Sequence, residues 1–392
     1  MPERWSAGRG FVLVLRPDGI GDMVLFSGAL PHLRRRFPDA RIETVVSRRV
    51  LNLVEHCPCV DVFHVYEEFA AGPLDWLMKC RGNRRFGRAY RWLRDASARL
   101  TGPLGRRFDV LLCPVRAMHP ELHDLVRRIR ARTKLGIAGD MVNQDAATDD
   151  RAGAYYTARM RLSAPDRFVH ELEVTARYLK WLGCPVDGPD DVYPVFWTDA
   201  RDARAAAKLL ERREGERVLG LVPGSGVARK CWPADRFADV ASRVRGFDKV
   251  VVLGGERERQ AARLIVDRLG SSCAGTRVLD LAGRTTLREL VCVIASCDLV
   301  VGCDTGAMHM AVALGRPTVA VLGAVPHRAR FYPWSDRTRH AAVYAEGEAF
   351  LQITPDEVLP LVERVMRGAA GERVRRAPVS KDGLQVGVGS AV

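Results

Sequence analysis

The chain alternates between short apolar runs rich in β-branched residues and longer amphipathic stretches. FVLVLR (11–16), RIETVVS (41–47), DVFHVY (61–66), FDVLLCPV (108–115) and KLGIAG (134–139) are the candidate strands of the first half. RVLGLVPG (217–224), KVVVLGG (249–255), RVLDLAG (277–283), LVVGCDTG (299–306) and TVAVLG (318–323) follow in the second. Continuous apolar strands bounded by glycine, with helical patterns between them, predict parallel sheets covered on both faces. A stretch dense in Pro, Gly and Asp, GCPVDGPDDVYPVF (183–196), divides the two series and reads as a linker. The expected organisation is a Rossmann-like domain over 1–185, a linker over 186–198 and a second Rossmann-like domain over 199–345. A final helix within 346–370 is expected from PDEVLPLVERVMRG, then a basic tail over 371–392, short of core residues and expected to be disordered. Two doubly wound α/β domains would leave a cleft at the carboxyl ends of their strands, where such folds bind ligands.

Composition supports this division. A length of 392 residues with 47% hydrophobic content is enough for two cores. The net charge of +14 directs attention to anionic partners: phosphates, acidic glycolipids, a membrane surface or nucleic acid. No helix-turn-helix or RNA-binding signature is present, so nucleic acid is not expected. The ten cysteines are scattered, mostly within apolar segments, which predicts reduced thiols in a cytoplasmic protein. Cys57 and Cys59 form a close pair but lack a second pair at zinc-site spacing. HPELH (119–123) places Pro120 where the zincin pattern needs glutamate, so it reads as a pair of histidines at a helix start. No stretch approaches the roughly 18 apolar residues of a spanning helix. The run FVLVL is stopped by Arg16 and Asp18, so no signal peptide is expected either.

The chemistry-bearing turns follow strands. In LVVGCDTGAMHMAVALGRPTVAVLG (299–323) an Asp-Thr-Gly turn opens a helix with His309 one turn in. Such a helix N-terminus offers amide groups and partial positive charge to a diphosphate, with Thr305, Gly306 and His309 as donors. Asp304 and Thr305 equally suit a helix cap. LVPGSGVARKCWPADRF (221–237) repeats the strand-turn-helix layout, and Lys230 there can reach a phosphate as a point charge. Glu256, in VVLGGERERQ, stands where a carboxylate accepts from ribose hydroxyls or merely favours a helix dipole. Thr285, in LAGRTTLRELV, lies in another such turn and could line the base. The stretch GIGDMV (19–24) lacks the third glycine of a dinucleotide fingerprint, which disfavours a dehydrogenase. Its Asp22 is then a helix cap or a catalytic carboxylate.

The set GIGDMV with FPDA, GSG with K-x-WP, and DTGAMHMAVALGRPTVAVLG resembles glycosyltransferase family 9, the ADP-heptose:lipopolysaccharide heptosyltransferases and their relatives. The resemblance runs over roughly residues 11–330 and departs from the family at Ala307, where relatives often carry proline. It implies a GT-B fold, an ADP-sugar held mainly by the second domain, an acceptor bound by the first, and inverting transfer without a metal. No Asp-x-Asp pair occurs anywhere in the chain, in keeping with a diphosphate neutralised by Lys230 and helix N-termini. By the same resemblance Asp22 is the general base, and Ser225, Lys230, Glu256, Thr285, Asp304, Thr305, Gly306 and His309, in the turns read above, are the donor-binding candidates. Gly21, Arg84, Arg88 and His119 are acceptor-side candidates.

The segment 79–107 interleaves Phe86, Tyr90 and Trp92 with many arginines, a pattern suited to a membrane surface or phosphorylated glycolipid, or else to a packed aromatic stripe with a solvated basic face. The expected location is therefore cytoplasmic, with peripheral contact on the inner face of the membrane. Other readings are the same fold with a different nucleotide sugar and a protein or natural-product acceptor, a sugar-nucleotide epimerase, or a binding module without chemistry.

Overall fold

The computed structural model describes residues 8–69, 105–139, 143–163, 169–225, 231–272, 275–323, 338–345 and 347–370. These group into two compact units. The first comprises the described residues before Ile20, Phe26–Leu51 and those from Cys57 to Tyr193; the second comprises Ile20–Leu25, Asn52–His56 and those from Pro194 onward.

The first unit is built on β1 (Phe11–Arg16), β2 (Arg41–Val46), β3 (Val62–Val65), β4 (Arg107–Cys113), β5 (Arg130–Ala138) and β6 (Ala158–Arg161). Between them in the chain run α1 (Ile20–Ser27), α2 (Ala29–Arg36), α3 (Arg48–Val54), α4 (Tyr66–Phe69), α5 (Pro120–Arg128), α6 (Ala146–Ala152) and, after β6, α7 (Glu171–Trp181), with Ile20–Leu25 of α1 and Asn52–Val54 of α3 grouped with the second unit. Every strand pair is parallel and the order is β3-β2-β1-β4-β5-β6. Val12 to Leu15 of β1 are wholly buried, which is why this strand is apolar on both faces instead of alternating.

The second unit repeats the plan. Its strands are β7 (Val218–Val222), β8 (Lys249–Val252), β9 (Arg277–Asp280), β10 (Leu299–Cys303), β11 (Thr318–Gly323) and β12 (His340–Ala345), again parallel, in the order β12-β11-β10-β7-β8-β9. The helices are α8 (Ala200–Leu210), α9 (Ala234–Arg243), α10 (Arg259–Ser272), α11 (Leu287–Ala295), α12 (Gly306–Ala313) and α13 (Pro355–Ala370). Val358, Val362 and Val365 of α13 join one core with Leu219, Leu221, Val301 and Val319 of the sheet.

Each sheet thus has the doubly wound order in which the chain first moves outward one way and then returns to build the other half. The reversal falls between β1 and β4 in one and between β7 and β10 in the other. At such a point the loops diverge to opposite faces, leaving room beyond the strand ends for a ligand. All ten apolar runs predicted as strands are strands, and β12 arises from HAAVYA. β6 (ARMR) was not predicted: it is a four-residue edge strand carrying two arginines and is nowhere fully buried.

The stretch 186–198 includes the changeover between units at Tyr193 and Pro194. Its first part forms a 3-10 turn, Pro189–Val192, seated on α2. His32 Nε2 donates to the Asp191 carbonyl at 2.7 Å, and Arg36 Nε donates to the Leu182 carbonyl at 3.0 Å. A β-carbon at Gly28 would lie 2.2 Å from the Tyr193 carbonyl oxygen, so only glycine admits this contact.

One buried charge closes the base of the second unit. Lys249 on β8 is wholly inaccessible, and its Nζ donates to the carbonyls of Leu210 (2.7 Å) and Glu211 (2.9 Å) and to Glu216 Oε2 (2.8 Å). The last carbonyls of a helix lack intrahelical partners, and here the ammonium supplies them while Glu211 takes a left-handed conformation at φ 45°. The Lys249 hydrogen bond, reinforced by the Arg213 amide, holds the Glu216 carboxyl down at about 2. Because this folded value lies below the ordinary 4.5, the stabilisation is complete above that range and is lost as pH falls from there toward 2. Glu216→Gln is therefore expected to lower the melting temperature at neutral pH and to flatten its decline between those limits, as read by calorimetry across pH.

Candidate functional site

The strand order brings residues far apart in sequence to one edge of the second sheet. Adjacent strands β10, β7, β8 and β9 end, respectively, near Asp304, Ser225, Glu256 and Thr285. Ser225 Oγ donates to the Asp304 carbonyl at 3.0 Å, tying the two turns at the reversal point. Cys303 reinforces the link, its Sγ lying 3.3 Å from the Pro223 carbonyl and accepting from the Trp232 amide at 3.2 Å. Trp232 Nε1 donates to the Ile353 carbonyl at 2.9 Å, which fixes the chain just after the Lys230 position. Lys230 itself lies outside the described residues, as do Arg84, Arg88 and 79–104 of the basic aromatic segment.

Thr305 occupies the N-cap of α12 in an extended conformation, yet its side chain makes no capping hydrogen bond. The capping alternative for this hydroxyl is thus not realised. Asp304, Thr305 and Gly306 are half-buried, and His309, one turn on, is 4% exposed. The leading amides of a helix have no partner within it and carry the positive end of its dipole, an arrangement that attracts phosphate.

The α1 segment grouped with this unit meets the same helix end. A β-carbon at Gly21 would come 2.8 Å from His309 Cδ2, and one at Gly306 would come 2.6 Å from Ile20 Cγ2 and 3.1 Å from the Gly21 amide nitrogen. Asp22, the next residue, is half-buried in the first turn of α1, which begins at Ile20. It is therefore an in-helix carboxylate and not the cap that its position in the sequence allowed.

Farther along the edge, Glu256 is exposed and its carboxylate pairs with Arg259 at 2.8 Å over Gly283. Thr285 is half-buried and directly precedes Thr286, which caps α11 in a reciprocal box with Glu289. Sequence reasoning overlooked Glu258. Its Oε2 accepts from the Gly255 amide at 2.7 Å, and its side chain passes over Gly224, where a β-carbon would fall 2.0 Å from Glu258 Cγ. The signal was present in the glycine at 224, which a wide turn would not require.

At the corresponding edge of the first sheet two buried arginines, also unassigned from sequence, shape the loops. Arg16 ends β1, donates to the Pro114 carbonyl at 2.9 Å and pairs with Asp18 at 2.9 Å, and Ser47 Oγ donates to the Asp18 carbonyl at 3.1 Å. Arg116 donates to the Val169 carbonyl at 2.7 Å and to Glu171 at 3.1 Å. His119 stands half-buried at the N-cap of α5 without a side-chain capping bond. His123, four residues on, has its ring nitrogens 3.1 Å from Tyr156 Oη and 2.8 Å from Gln144 Oε1. Both ring nitrogens of His123 are thus engaged by protein groups. His170 caps α7, its Nδ1 accepting from the Leu172 amide.

Among the described residues His56, Asp199 and Asp202 bring ligand-type atoms within 4.8 Å of one another. Asp199 already accepts two amides as the cap of α8, and Asp202 accepts from Arg288 Nε at 3.0 Å, so the cluster is a capped, ion-paired helix start. Among the same residues no helix is long and apolar enough to cross a membrane.

This architecture has solved counterparts. The glycosyl transferase family 9 protein from Veillonella parvula superposes with a TM-score of 0.65 at 18% identity, covering 92% of this chain and 98% of its own. The Escherichia coli ADP-heptose lps heptosyltransferase II gives 0.63 at 19%, covering 92% and 99%. The fold is GT-B. In sequence, lipopolysaccharide heptosyltransferase 2 of Salmonella typhimurium is 27% identical over 321 residues, 80% of this chain and 82% of the relative. Lipopolysaccharide heptosyltransferase 3 of Escherichia coli K12 is 23% identical over 380 residues, 91% and 98% of the two. The sequence profile of glycosyltransferase family 9 (heptosyltransferase) matches residues 141–353, more than half of the chain. The chain belongs to glycosyltransferase family 9, and it is a glycosyltransferase.

The glycine contacts make a direct prediction. Gly306→Ala forces its new methyl against the Ile20 side chain and the Gly21 amide, an overpacking expected to cost about 1–3 kcal/mol of stability. Gly21→Ala meets only the edge of one imidazole and is expected to cost less, while still lowering turnover. Thermal unfolding and steady-state assays of both variants test this ranking; equal, negligible effects would refute the close approach.

Proposed function

We propose that the protein transfers heptose from ADP-heptose to a lipopolysaccharide-core acceptor, with inversion at the anomeric carbon and without a metal ion. The observation that carries this reading is the contact of Gly21 with His309, because it sets the Asp22 turn beside the helix end suited to a diphosphate. Names of relatives covering most of the chain, the Escherichia coli and Salmonella lipopolysaccharide heptosyltransferases, support the donor and acceptor class.

In the proposed reaction an acceptor hydroxyl oxygen attacks the anomeric carbon while the bond from that carbon to the ADP oxygen breaks on the opposite face. The Asp22 carboxylate accepts the hydroxyl proton as the new bond forms. Negative charge accumulating on the departing diphosphate is met by the α12 N-terminus through Thr305, Gly306 and His309, with Ser225 beside them and Lys230 as a point charge. Asp304 orders the turn through its carbonyl contact with Ser225. Glu256 takes the ribose hydroxyls and Thr285 faces the base; Glu258, lying over Gly224, is a second carboxylate at the same edge. Gly21, Arg84, Arg88 and His119 are assigned to the acceptor. The absence of any Asp-x-Asp pair supports neutralisation by protein groups. The basic segment 79–107 supports a cytoplasmic enzyme resting on the inner membrane face, where a glycolipid acceptor is presented.

Asp22→Asn is expected to lower kcat about 10²–10⁴-fold, the usual contribution of a general base, while ADP affinity by calorimetry stays within about twofold. Unchanged turnover would remove Asp22 from the base role. Transfer should persist undiminished in excess EDTA, and the product anomer, read by NMR, should be opposite to that of the donor. Preference for another nucleotide sugar in a donor panel would overturn the choice of ADP-heptose.

A further inference from the structure

His123 of α5 is 2% exposed and has no role in the transferase reading, yet it belongs to a closed circuit of side chains. Tyr156 Oη lies 3.1 Å from its Nδ1, and Gln144 Oε1 lies 2.8 Å from its Nε2. Gln144 Nε2 donates to Asp149 Oδ1 of α6 at 3.1 Å, and Arg159 of β6 donates to the same oxygen at 2.6 Å. The Arg159 guanidinium stands 5.5 Å from the centre of the Tyr156 ring, which closes the circuit. The directions of these bonds are fixed. A carboxylate only accepts, so the Gln144 amino group faces Asp149 and its carbonyl faces His123. His123 must therefore carry its proton on Nε2, and its bare Nδ1 accepts from the Tyr156 hydroxyl. Strand β5 makes room for the tyrosine with a glycine: a β-carbon at Gly136 would fall 2.6 Å from Tyr156 Cε1.

The circuit joins two loops at the carboxyl edge of the first sheet. Gln144 lies between β5 and α6, and its neighbour Asn143 donates from Nδ2 to the Ala117 carbonyl at 3.0 Å, two residues before His119. Buried ion pairs and hydrogen bonds rarely outdo apolar packing for stability alone. What they supply here is orientation. We propose that His123, in its neutral form protonated at Nε2, is a positioning residue that acts through Gln144 and Tyr156 to hold 143–145 and 117–119 as one wall of the acceptor-binding edge. This role rests on the transferase reading, in which the first unit takes the acceptor. A proton on Nδ1 would remove the acceptor of the Tyr156 hydroxyl and loosen the wall. The titratable and charged groups facing the imidazole are Tyr156, Asp149 of α6, Arg159 of β6 and His119 of its own helix end. Cys113 of β4 lies in the core against which Tyr156 packs. Burial holds the His123 ring below its ordinary 6.5, against the Gln144 hydrogen bond and the Asp149 charge, while Arg159 and His119 act in the same sense as burial. The folded value lies below the unfolded one, so the arrangement is intact above pH 6.5 and weakens as pH falls below it.

The test is steady-state transfer by the full chain from ADP-heptose to a core oligosaccharide, with the acceptor varied from about pH 5 to 8. Tyr156→Phe keeps the ring beside Gly136 and removes only the hydroxyl. It is expected to raise the acceptor KM about fivefold, the loss of one buried hydrogen bond, while kcat, donor KM and calorimetric ADP affinity stay within about twofold. In the unsubstituted chain the acceptor KM should be level above pH 6.5 and climb below it. His123→Gln keeps a donor and an acceptor but does not titrate, so it should recover most of what His123→Ala loses and show no climb. An acceptor KM unchanged in Tyr156→Phe and His123→Ala would overturn the proposal. So would a climb that persists in His123→Gln, or equal losses toward donor and acceptor, the mark of a general loosening of the fold. Inactivity of the unsubstituted chain with these substrates would instead refute the transferase reading, and the positioning role with it.

Discussion

Two missing β-carbons decide whether this protein can have a site of the kind described. Gly21 and Gly306 stand where helix α1 and helix α12 begin, and each lies against the other's neighbourhood: Gly21 on the His309 ring, Gly306 on Ile20 and the Gly21 amide. A β-carbon at either position would come within 3 Å of a side chain at the other helix start, so one of the two would have to shift. With glycine at both, a carboxylate at 22 and a cationic helix end come to one locality without any long side chain having to span the gap. Here glycine serves close approach and not unusual backbone angles; neither residue has a positive φ.

The doubly wound order supplies the second constraint. Because the chain reverses at β7 and β10, the turns after those strands separate to opposite faces and then need a tie, which Ser225, Cys303 and Trp232 provide. The first sheet meets the same problem with charge. Arg16 and Arg116 extend from the ends of apolar strands β1 and β4 into buried positions and satisfy loop carbonyls there. At the opposite end of the second unit Lys249 does likewise for the carbonyls that end α8. Buried ions are tolerated because each has several oxygen partners, and each holds a loop at a strand end in one place.

The sequence by itself determined the strands, their parallel arrangement and the nature of the turns, because a strand buried on both faces must be apolar throughout and must end in residues that can turn. It placed Asp22, Thr305, Gly306 and His309 at helix starts for the same local reason. It did not reveal β6, whose ARMR carries edge charges in place of an apolar run, or Glu258, whose role depends on lying over a glycine 34 positions earlier in the chain. Nor could it choose between cap and in-helix carboxylate at Asp22, which depends on where the first helical turn closes. Tertiary structure alone decided which turns share an edge: strand order is set by how helices cover a twisted sheet, and that long-range packing leaves no mark in the local pattern of residues.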